Sequence, residues 1–108
     1  MFIDSHCHIN FPELISDLDG VMQRMSDSEV DKALCVSIST TTLPEIIKIT
    51  NCYGNIYGSA GVHPNGKESQ EPTLETLIKL SANEKIIAIG ETGLDYFRSE
   101  GDMSWQQE

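Results

Sequence analysis

Four short hydrophobic runs recur along the chain, and each has the length of a β-strand. They lie at residues 2–9, 32–39, 56–62 and 86–90, and successive runs begin 24 or 30 residues apart. Each run is nearly continuous in apolar residues rather than strictly alternating, which is typical of strands covered on both faces. The spacing leaves room for one helix between each pair of strands.

The intervals between the runs have the periodicity of amphipathic helices. Their apolar stripes are formed by Leu14, Leu18, Val21, Met22 and Met25, by Leu43, Ile46 and Ile47, and by Leu74, Leu77 and Ile78. Thr42 and Glu45 have the spacing of a capping box, and Thr73 directly precedes the third stripe. Alternating strands and helices favour right-handed crossovers and a parallel sheet. The predicted fold class is α/β, with residues 1–108 as a single domain.

Charge and composition narrow the classes of function. The formal net charge is −10 and only seven residues are Lys or Arg, which disfavours a domain that neutralises phosphates with its own cations. If the substrate is a polyanion, bound metal ions must supply the positive charge. No apolar run approaches the roughly 20 residues of a membrane span, and no basic start followed by an apolar stretch predicts a secretory signal. Three cysteines without CxxC spacing indicate reduced thiols and a cytoplasmic protein.

The residues that can do chemistry cluster at the predicted carboxyl ends of the strands, where parallel α/β folds bind ligands. His6 and His8 are two residues apart on the first strand, so their side chains should share a face and can grip a divalent metal together. Glu91 directly follows the fourth run, where an unpaired carboxylate would be costly to bury. We therefore expect these three side chains to be metal ligands, although a helix-capping or surface role for Glu91 is the simpler alternative.

Four further residues belong to the predicted site with less specific roles. His63, before Pro64, ends the third strand, and its position favours substrate contact over metal ligation, with a loop-stabilising hydrogen bond as the alternative. Asp4 shares a strand face with the histidine pair and is expected to hydrogen-bond behind the ligands or in the core. Asp95 and Tyr96 are expected to orient Glu91 or to line the pocket, with a purely structural role as the alternative.

Three motifs in order resemble the TatD-type metal-dependent hydrolases. They are Asp4-Ser-His6-Cys-His8, Gly61-Val-His63-Pro64 and Ile89-Gly-Glu91-Thr-Gly-Leu-Asp95-Tyr96. The resemblance runs over essentially the whole chain. It implies an eight-stranded (β/α)8 TIM barrel, typically about 250 residues long, of which residues 1–108 would supply the N-terminal half as about four βα units.

The resemblance also implies an activity and a ligand set. The activity is that of a deoxyribonuclease with two divalent metal ions, Mg²⁺ or Mn²⁺, with Zn²⁺ able to replace them in crystals. His6 and His8 would bind one ion, Glu91 would bridge both as the catalytic carboxylate, and His63 would contact a phosphate of the DNA substrate. The remaining ligands would come from strands after Glu108. Asn65 departs from the family, which often has His at that position, and this removes one phosphate contact.

Two alternatives to a deoxyribonuclease remain open at this level. One is a metal-dependent hydrolase of a small amide or lactone on the same barrel. Glu91 argues against it, because those relatives commonly use a carboxylated Lys to bridge the two metal ions. The other is a non-catalytic, truncated metal-binding fragment. Residues 1–108 alone are expected to be inactive and to expose unpaired sheet edges that promote association. The oligomeric state is not predicted.

Overall fold

The sheet consists of four parallel strands in the order β1-β2-β3-β4. The computed structural model describes residues 1–64, 72–98 and 101–107. The strands are β1 (Phe2–Cys7), β2 (Val30–Cys35), β3 (Ile56–Ala60) and β4 (Ile86–Ile89). The predicted α/β class and parallel sheet are confirmed. Each strand ends one to four residues before its predicted end, since the chain leaves the hydrogen-bonded ladder there to form the polar loops of the site.

The crossovers are helical, as predicted, but the first helical interval is divided. The helices are α1 (Pro12–Ile15), α2 (Leu18–Asp27), α3 (Leu43–Cys52) and α4 (Leu74–Ser81), and a 3₁₀ helix spans Ser104–Gln107. The first apolar stripe was predicted to be continuous. Asp17 interrupts it, because its backbone (φ −137°, ψ 53°) is not helical. The stripe continues across the break, since side chains of α1 and α2 both pack against the core.

The two predicted helix starts differ in how they are capped. The Thr73 hydroxyl accepts a hydrogen bond from the backbone N–H of Thr76 at 3.1 Å, which stabilises the first turn of α4. Thr42 occupies the corresponding position of α3 without a capping bond. Its hydroxyl donates instead to the carbonyl of Ser39, at 3.2 Å, so the predicted capping box with Glu45 is wrong.

The hydrophobic core lies between α3 and the centre of the sheet. Its buried members are Ile9, Ala33, Cys35, Leu43, Ile46, Ile49, Ile56, Ala60 and Ile86. The outer strands are far more exposed: Ile3 on β1 is 62% exposed and Ile87 on β4 is 59% exposed. Among the described residues, the expectation of strands covered on both faces therefore holds only for β3 and for the second half of β2.

The register of the first strand pair is interrupted close to the histidines. Asp4 pairs with Ala33 and Cys7 with Cys35, so β1 advances three residues while β2 advances two. The extra residue falls at the start of the histidine pair, and irregularities of this kind re-aim side chains at the edges of sheets. In the part of the chain that the structure describes, no helix is long and apolar enough to cross a membrane.

Candidate metal centre

Three side chains from opposite edges of the sheet converge at its carboxyl end. The Nε2 atoms of His6 and His8 lie 3.6 Å and 3.8 Å from the same carboxylate oxygen, Oε2 of Glu91. One potential ligand atom from each residue lies within 4.8 Å of the others. The two rings meet edge to face, with centroids 5.1 Å apart. Residues that are 83 positions apart in sequence are thus brought to one point by the curvature of a four-stranded sheet.

The imidazole of His8 is held in one orientation by two neighbours. Its Nδ1 lies 3.1 Å from the carbonyl oxygen of Val36, and its ring stacks on Phe11 with a centroid separation of 4.7 Å and an interplanar angle of 16°. A carbonyl only accepts hydrogen bonds, so in the neutral imidazole Nδ1 carries the proton and Nε2 keeps its lone pair. Histidines that bind a metal commonly donate their other ring N–H to a carbonyl in this way.

The position of Glu91 is determined by backbone contacts with the neighbouring strands. Its N–H donates to the carbonyl of Ser37 at 2.8 Å, and the N–H of Gly90 donates to Ala60 at 2.9 Å. The Gly90–Glu91 peptide bond is cis. A Cβ added at Gly61 would lie 2.5 Å from the carbonyl carbon of Gly90, so glycine is required for β3 and β4 to approach this closely.

His63 lies on the other side of the Glu91 carboxylate. Its Nε2 is 3.4 Å from Oε1, the oxygen that does not face the histidine pair, and its side chain is only 18% exposed. Its backbone N–H donates to the carbonyl of Ile38 at 2.9 Å, which holds the exit of β3 beside the exit of β2. Glu91 therefore presents one oxygen to His6 and His8 and the other to His63.

The chemistry and spacing of this donor set fit a divalent metal ion. Two ligand atoms that are each about 2.1 Å from one metal lie roughly 3 to 3.6 Å apart, depending on the angle between them. The observed separations of 3.6 Å and 3.8 Å are close to this range and too long for ordinary hydrogen bonds. Neutral imidazoles bind a cation without cancelling its charge, and a carboxylate with two separately directed oxygens can serve two ions.

An open pocket of about 360 Å³ lies between Glu91 and the loop that follows β4. His63, Glu91, Asp95 and Arg98 are among the residues that line it. The Asp95 carboxylate accepts a hydrogen bond from the backbone N–H of Arg98 at 2.9 Å, and its Oδ2 lies 3.9 Å from the guanidinium Nε. Asp95 thus lines the pocket and orders its loop. The contacts found for it do not orient Glu91.

Asp4 and Tyr96, the other two predicted site residues, lie at the margin of the site. The Asp4 carboxylate is exposed and accepts a hydrogen bond from the backbone N–H of His6 at 3.0 Å, so it supports the strand beneath the ligand rather than the core. The Tyr96 hydroxyl accepts a bond from Gln107 at 2.8 Å. Asn65, the position of the departure from the family motif, lies outside the described residues.

Sequence reasoning missed the side chains that support the ligands. Gln106 donates to the carbonyl of Pro64 at 2.8 Å and accepts from the backbone N–H of Asp95 at 2.8 Å, and it thereby ties together the loops after β3 and β4. Phe11 and the Val36 carbonyl, which hold His8, were also missed. No local pattern marks these groups, because each acts on a residue that is distant in sequence or belongs to an unremarkable loop.

Comparison with known proteins identifies the family of the chain. The family model described as "TatD related DNase" matches residues 3–108. The chain belongs to this family. Two relatives are described only as uncharacterized metal-dependent hydrolases. That of Buchnera aphidicola is 34% identical and is matched over 97% of this chain, and YcfH of Escherichia coli is 35% identical over 98%. A third, from Shigella flexneri, is a "3'-5' ssDNA/RNA exonuclease TatD" and is 30% identical over 89% of the chain.

Solved structures confirm the architecture. The TatD homologue YjjV of Escherichia coli superposes with a TM-score of 0.81 and 27% identity over 98% of this chain, and a TatD-family hydrolase of Entamoeba histolytica with a TM-score of 0.75 and 28% identity over 90%. The chain covers 42% and 38% of these two proteins and 41% of the Buchnera and Escherichia hydrolases. The four βα units therefore correspond to the N-terminal portion of a TIM barrel, as expected from the motifs.

Proposed function

We propose that the protein carrying this chain hydrolyses phosphodiester bonds of DNA, with two divalent metal ions, Mg²⁺ or Mn²⁺, held in part by His6, His8 and Glu91. The convergence of these three side chains on one point carries the proposal. The name of the Shigella relative supports a nucleic acid substrate, and the hydrolase names of the other relatives support metal-dependent hydrolysis. The remaining ligands are expected from the part of the barrel that this chain does not cover.

The donor atoms of these residues point in different directions, so each residue would have a separate role. His6 and His8 would bind one ion through Nε2, and Glu91 would bridge to the second through its other oxygen. His63, beside that second oxygen, would contact a non-bridging oxygen of the scissile phosphate. When bound, such a pair of ions acidifies a water molecule and stabilises the charge that develops on the phosphate.

The charge of the chain is compatible with an anionic substrate under this proposal. A formal net charge of −10 repels DNA at long range, so binding should depend on the metal more than on Lys and Arg. We also propose a cytoplasmic location, because Cys7, Cys35 and Cys52 are all unpaired, as thiols are in a reducing compartment.

Glu91→Gln in the full native protein tests the assignment. This change keeps the size of the side chain but removes the charge, and we expect it to lower kcat on a single-stranded oligonucleotide at least about 100-fold with Mn²⁺ present. Glu84→Gln is the matched control, since Glu84 is an exposed carboxylate just before β4, at the opposite end of the same strand. Its activity should stay within about two-fold of the unmodified protein, as is usual for an exposed site.

A comparison of substrates separates the candidate reactions. The native protein should hydrolyse bis(p-nitrophenyl) phosphate and the oligonucleotide, lose both activities in EDTA and regain them when Mn²⁺ is restored. Rapid turnover of a lactone or a small amide without phosphodiesterase activity would instead identify the small-molecule hydrolase. Metal binding without any turnover would identify a binding function.

A further inference from the structure

Two buried serines lie directly beneath Glu91, where β2, β3 and β4 meet. Ser37 is fully buried and Ser59 is 1% exposed. Both lie among apolar core residues, where a hydroxyl is costly unless its hydrogen bonds are satisfied. Neither residue belongs to the motifs that indicated the metal site, and neither touches a predicted ligand through its side chain.

The Ser59 hydroxyl joins all three strands at the base of the site. It donates to the carbonyl oxygen of Gly90 at 2.6 Å and accepts from the backbone N–H of Ser37 at 3.0 Å. The carbonyl of Ser37 in turn accepts the N–H of Glu91, at 2.8 Å. Both polar groups of the peptide that links Gly90 to Glu91 are therefore engaged, the carbonyl by Ser59 and the N–H by Ser37.

The Ser37 hydroxyl completes the arrangement by holding the neighbouring strand exits. It lies 3.0 Å from the carbonyl of Gly61 and 3.1 Å from that of Ser39. A hydroxyl has a single proton, which these two acceptors share. The exit of β3, which leads into His63, is thus tied to the exit of β2 and to the support of Glu91.

We propose that Ser59 is a positioning residue for the Glu91 carboxylate. Its hydroxyl sets the orientation of the peptide that directs the Glu91 side chain toward His6 and His8. Without the hydroxyl, the Gly90 carbonyl loses this donor and the Ser37 N–H loses this acceptor. The peptide then keeps only the bond from the Glu91 N–H to the Ser37 carbonyl, so it is held less firmly in its present position. The role of the carboxylate in metal binding rests on the function proposed above. The hydrogen bonds that hold the peptide are observed independently of that function.

The test compares three variants of the full native protein. Ser59→Ala removes the hydroxyl, and Ser59→Thr retains it. Thr50→Val is the control, because Thr50 is also buried (2% exposed), and its hydroxyl bonds only within α3, to the carbonyl of Ile47 at 2.8 Å. The measured quantities are the Mn²⁺ dissociation constant by calorimetry, the melting temperature, and the hydrogen-exchange rate of the Glu91 amide.

Ser59→Ala should weaken Mn²⁺ binding by about 10- to 100-fold, the range found when the hydrogen-bond partner of a metal ligand is removed. The dissociation constant of Ser59→Thr should stay within about three-fold of the native value. Thr50→Val should leave Mn²⁺ binding unchanged, even if its melting temperature is lowered as much as that of Ser59→Ala. The proposal is overturned if Ser59→Ala binds Mn²⁺ as the native protein does, if Thr50→Val weakens binding equally, or if a well-folded Ser59→Thr fails to restore it.

Amide exchange separates this inference from the proposed function. In the metal-free protein, the Glu91 amide should exchange at least about 10-fold faster in Ser59→Ala than in the native chain or in Thr50→Val, because local opening becomes easier. If the native protein binds no Mn²⁺, the proposed function fails while the exchange rates still decide the role of Ser59. Equal exchange rates in the three proteins would overturn the positioning role.

Discussion

At the scale of single residues, the candidate ligands are oriented by neighbours that are not themselves candidate ligands. The Val36 carbonyl fixes the proton on Nδ1 of His8, and Phe11 holds the ring plane. Cys7 lies between His6 and His8 in sequence, but its thiol donates to the carbonyl of Leu34 at 3.3 Å. One short segment thus directs two imidazoles to the site and a thiol toward the neighbouring strand.

The reactivity of the cysteines should follow this arrangement. A hydrogen bond with the Cys35 thiol and burial raise the pKa of Cys7 well above its ordinary value, so little thiolate forms at neutral pH. Cys52 is exposed. A maleimide at pH 7.5 should therefore label Cys52 at least about 10-fold faster than Cys7, as mapped by peptide mass spectrometry.

Denaturant provides the control for this labelling. All three cysteines should react at similar rates in the unfolded chain, because burial and the thiol–thiol contact are lost there. Labelling of native Cys7 as fast as Cys52 would contradict the raised pKa and the burial of its side chain.

At the scale of elements, the close approach of β3 and β4 determines where Glu91 stands. Gly61 lies two residues before His63 and has no side chain. The backbone of Gly90 can therefore occupy the space that a Cβ would need. The Ala60 carbonyl accepts the N–H of Gly90 at 2.9 Å, which extends the pairing of the two strands to the edge of the site. The small residue is thus a requirement of strand spacing rather than of a turn.

Gly61→Ala should lower both stability and metal affinity. Its new Cβ would meet backbone atoms 2.5 Å to 2.9 Å away, which cannot move as a flexible side chain would. Overpacking of this kind costs about 1 to 3 kcal/mol, measurable by urea unfolding. Mn²⁺ affinity should fall with it, because the strand that carries Glu91 must shift.

Gly54→Ala is the matched control for this change. A Cβ at Gly54 meets nothing within 4 Å, and the residue is exposed. The free energy of unfolding should therefore change by less than about 1 kcal/mol, in either direction. Equal effects of the two substitutions would show that the β3–β4 approach does not control the site.

At the scale of the whole molecule, the described residues form a sheet with two apolar margins. Phe2 and Ile3 on β1 are 64% and 62% exposed, and Ile87 and Ile89 on β4 are 59% and 57% exposed. Long apolar edge strands are sites of association unless another element covers them. The chain spans about two fifths of the length of the curated relatives it matches, so those relatives have further sequence outside the matched part.

Residues 1–108 produced alone should therefore associate. We expect concentration-dependent elution in size-exclusion chromatography and strong binding of a hydrophobic dye, whereas the full native protein should show neither. The apolar margins supply the driving force, which is roughly proportional to the apolar area removed from water. A monodisperse monomer of residues 1–108 with a cooperative thermal transition would contradict this expectation.

The sequence by itself determined the alternation of strands and helices, the parallel sheet and the residues of the candidate metal site. These features follow from periodicity within short segments and from the rule that parallel strands bring their carboxyl ends to one edge. His6, His8 and Glu91 could be placed together for this reason alone. Local patterns failed where a competing contact decided the outcome, as at Thr42, whose hydroxyl bonds to Ser39 instead of capping α3.

Only the tertiary structure decided how the site is supported. The Val36 carbonyl holds His8 across 28 residues, Ser59 holds the Gly90 carbonyl across 31, and Gln106 reaches Pro64 across 42. These contacts depend on strand register and on the distance between backbones, neither of which leaves a periodic signal in the sequence. The ligands could be read from the chain because their chemistry is distinctive, whereas serine, glutamine and a main-chain carbonyl acquire their roles from position alone.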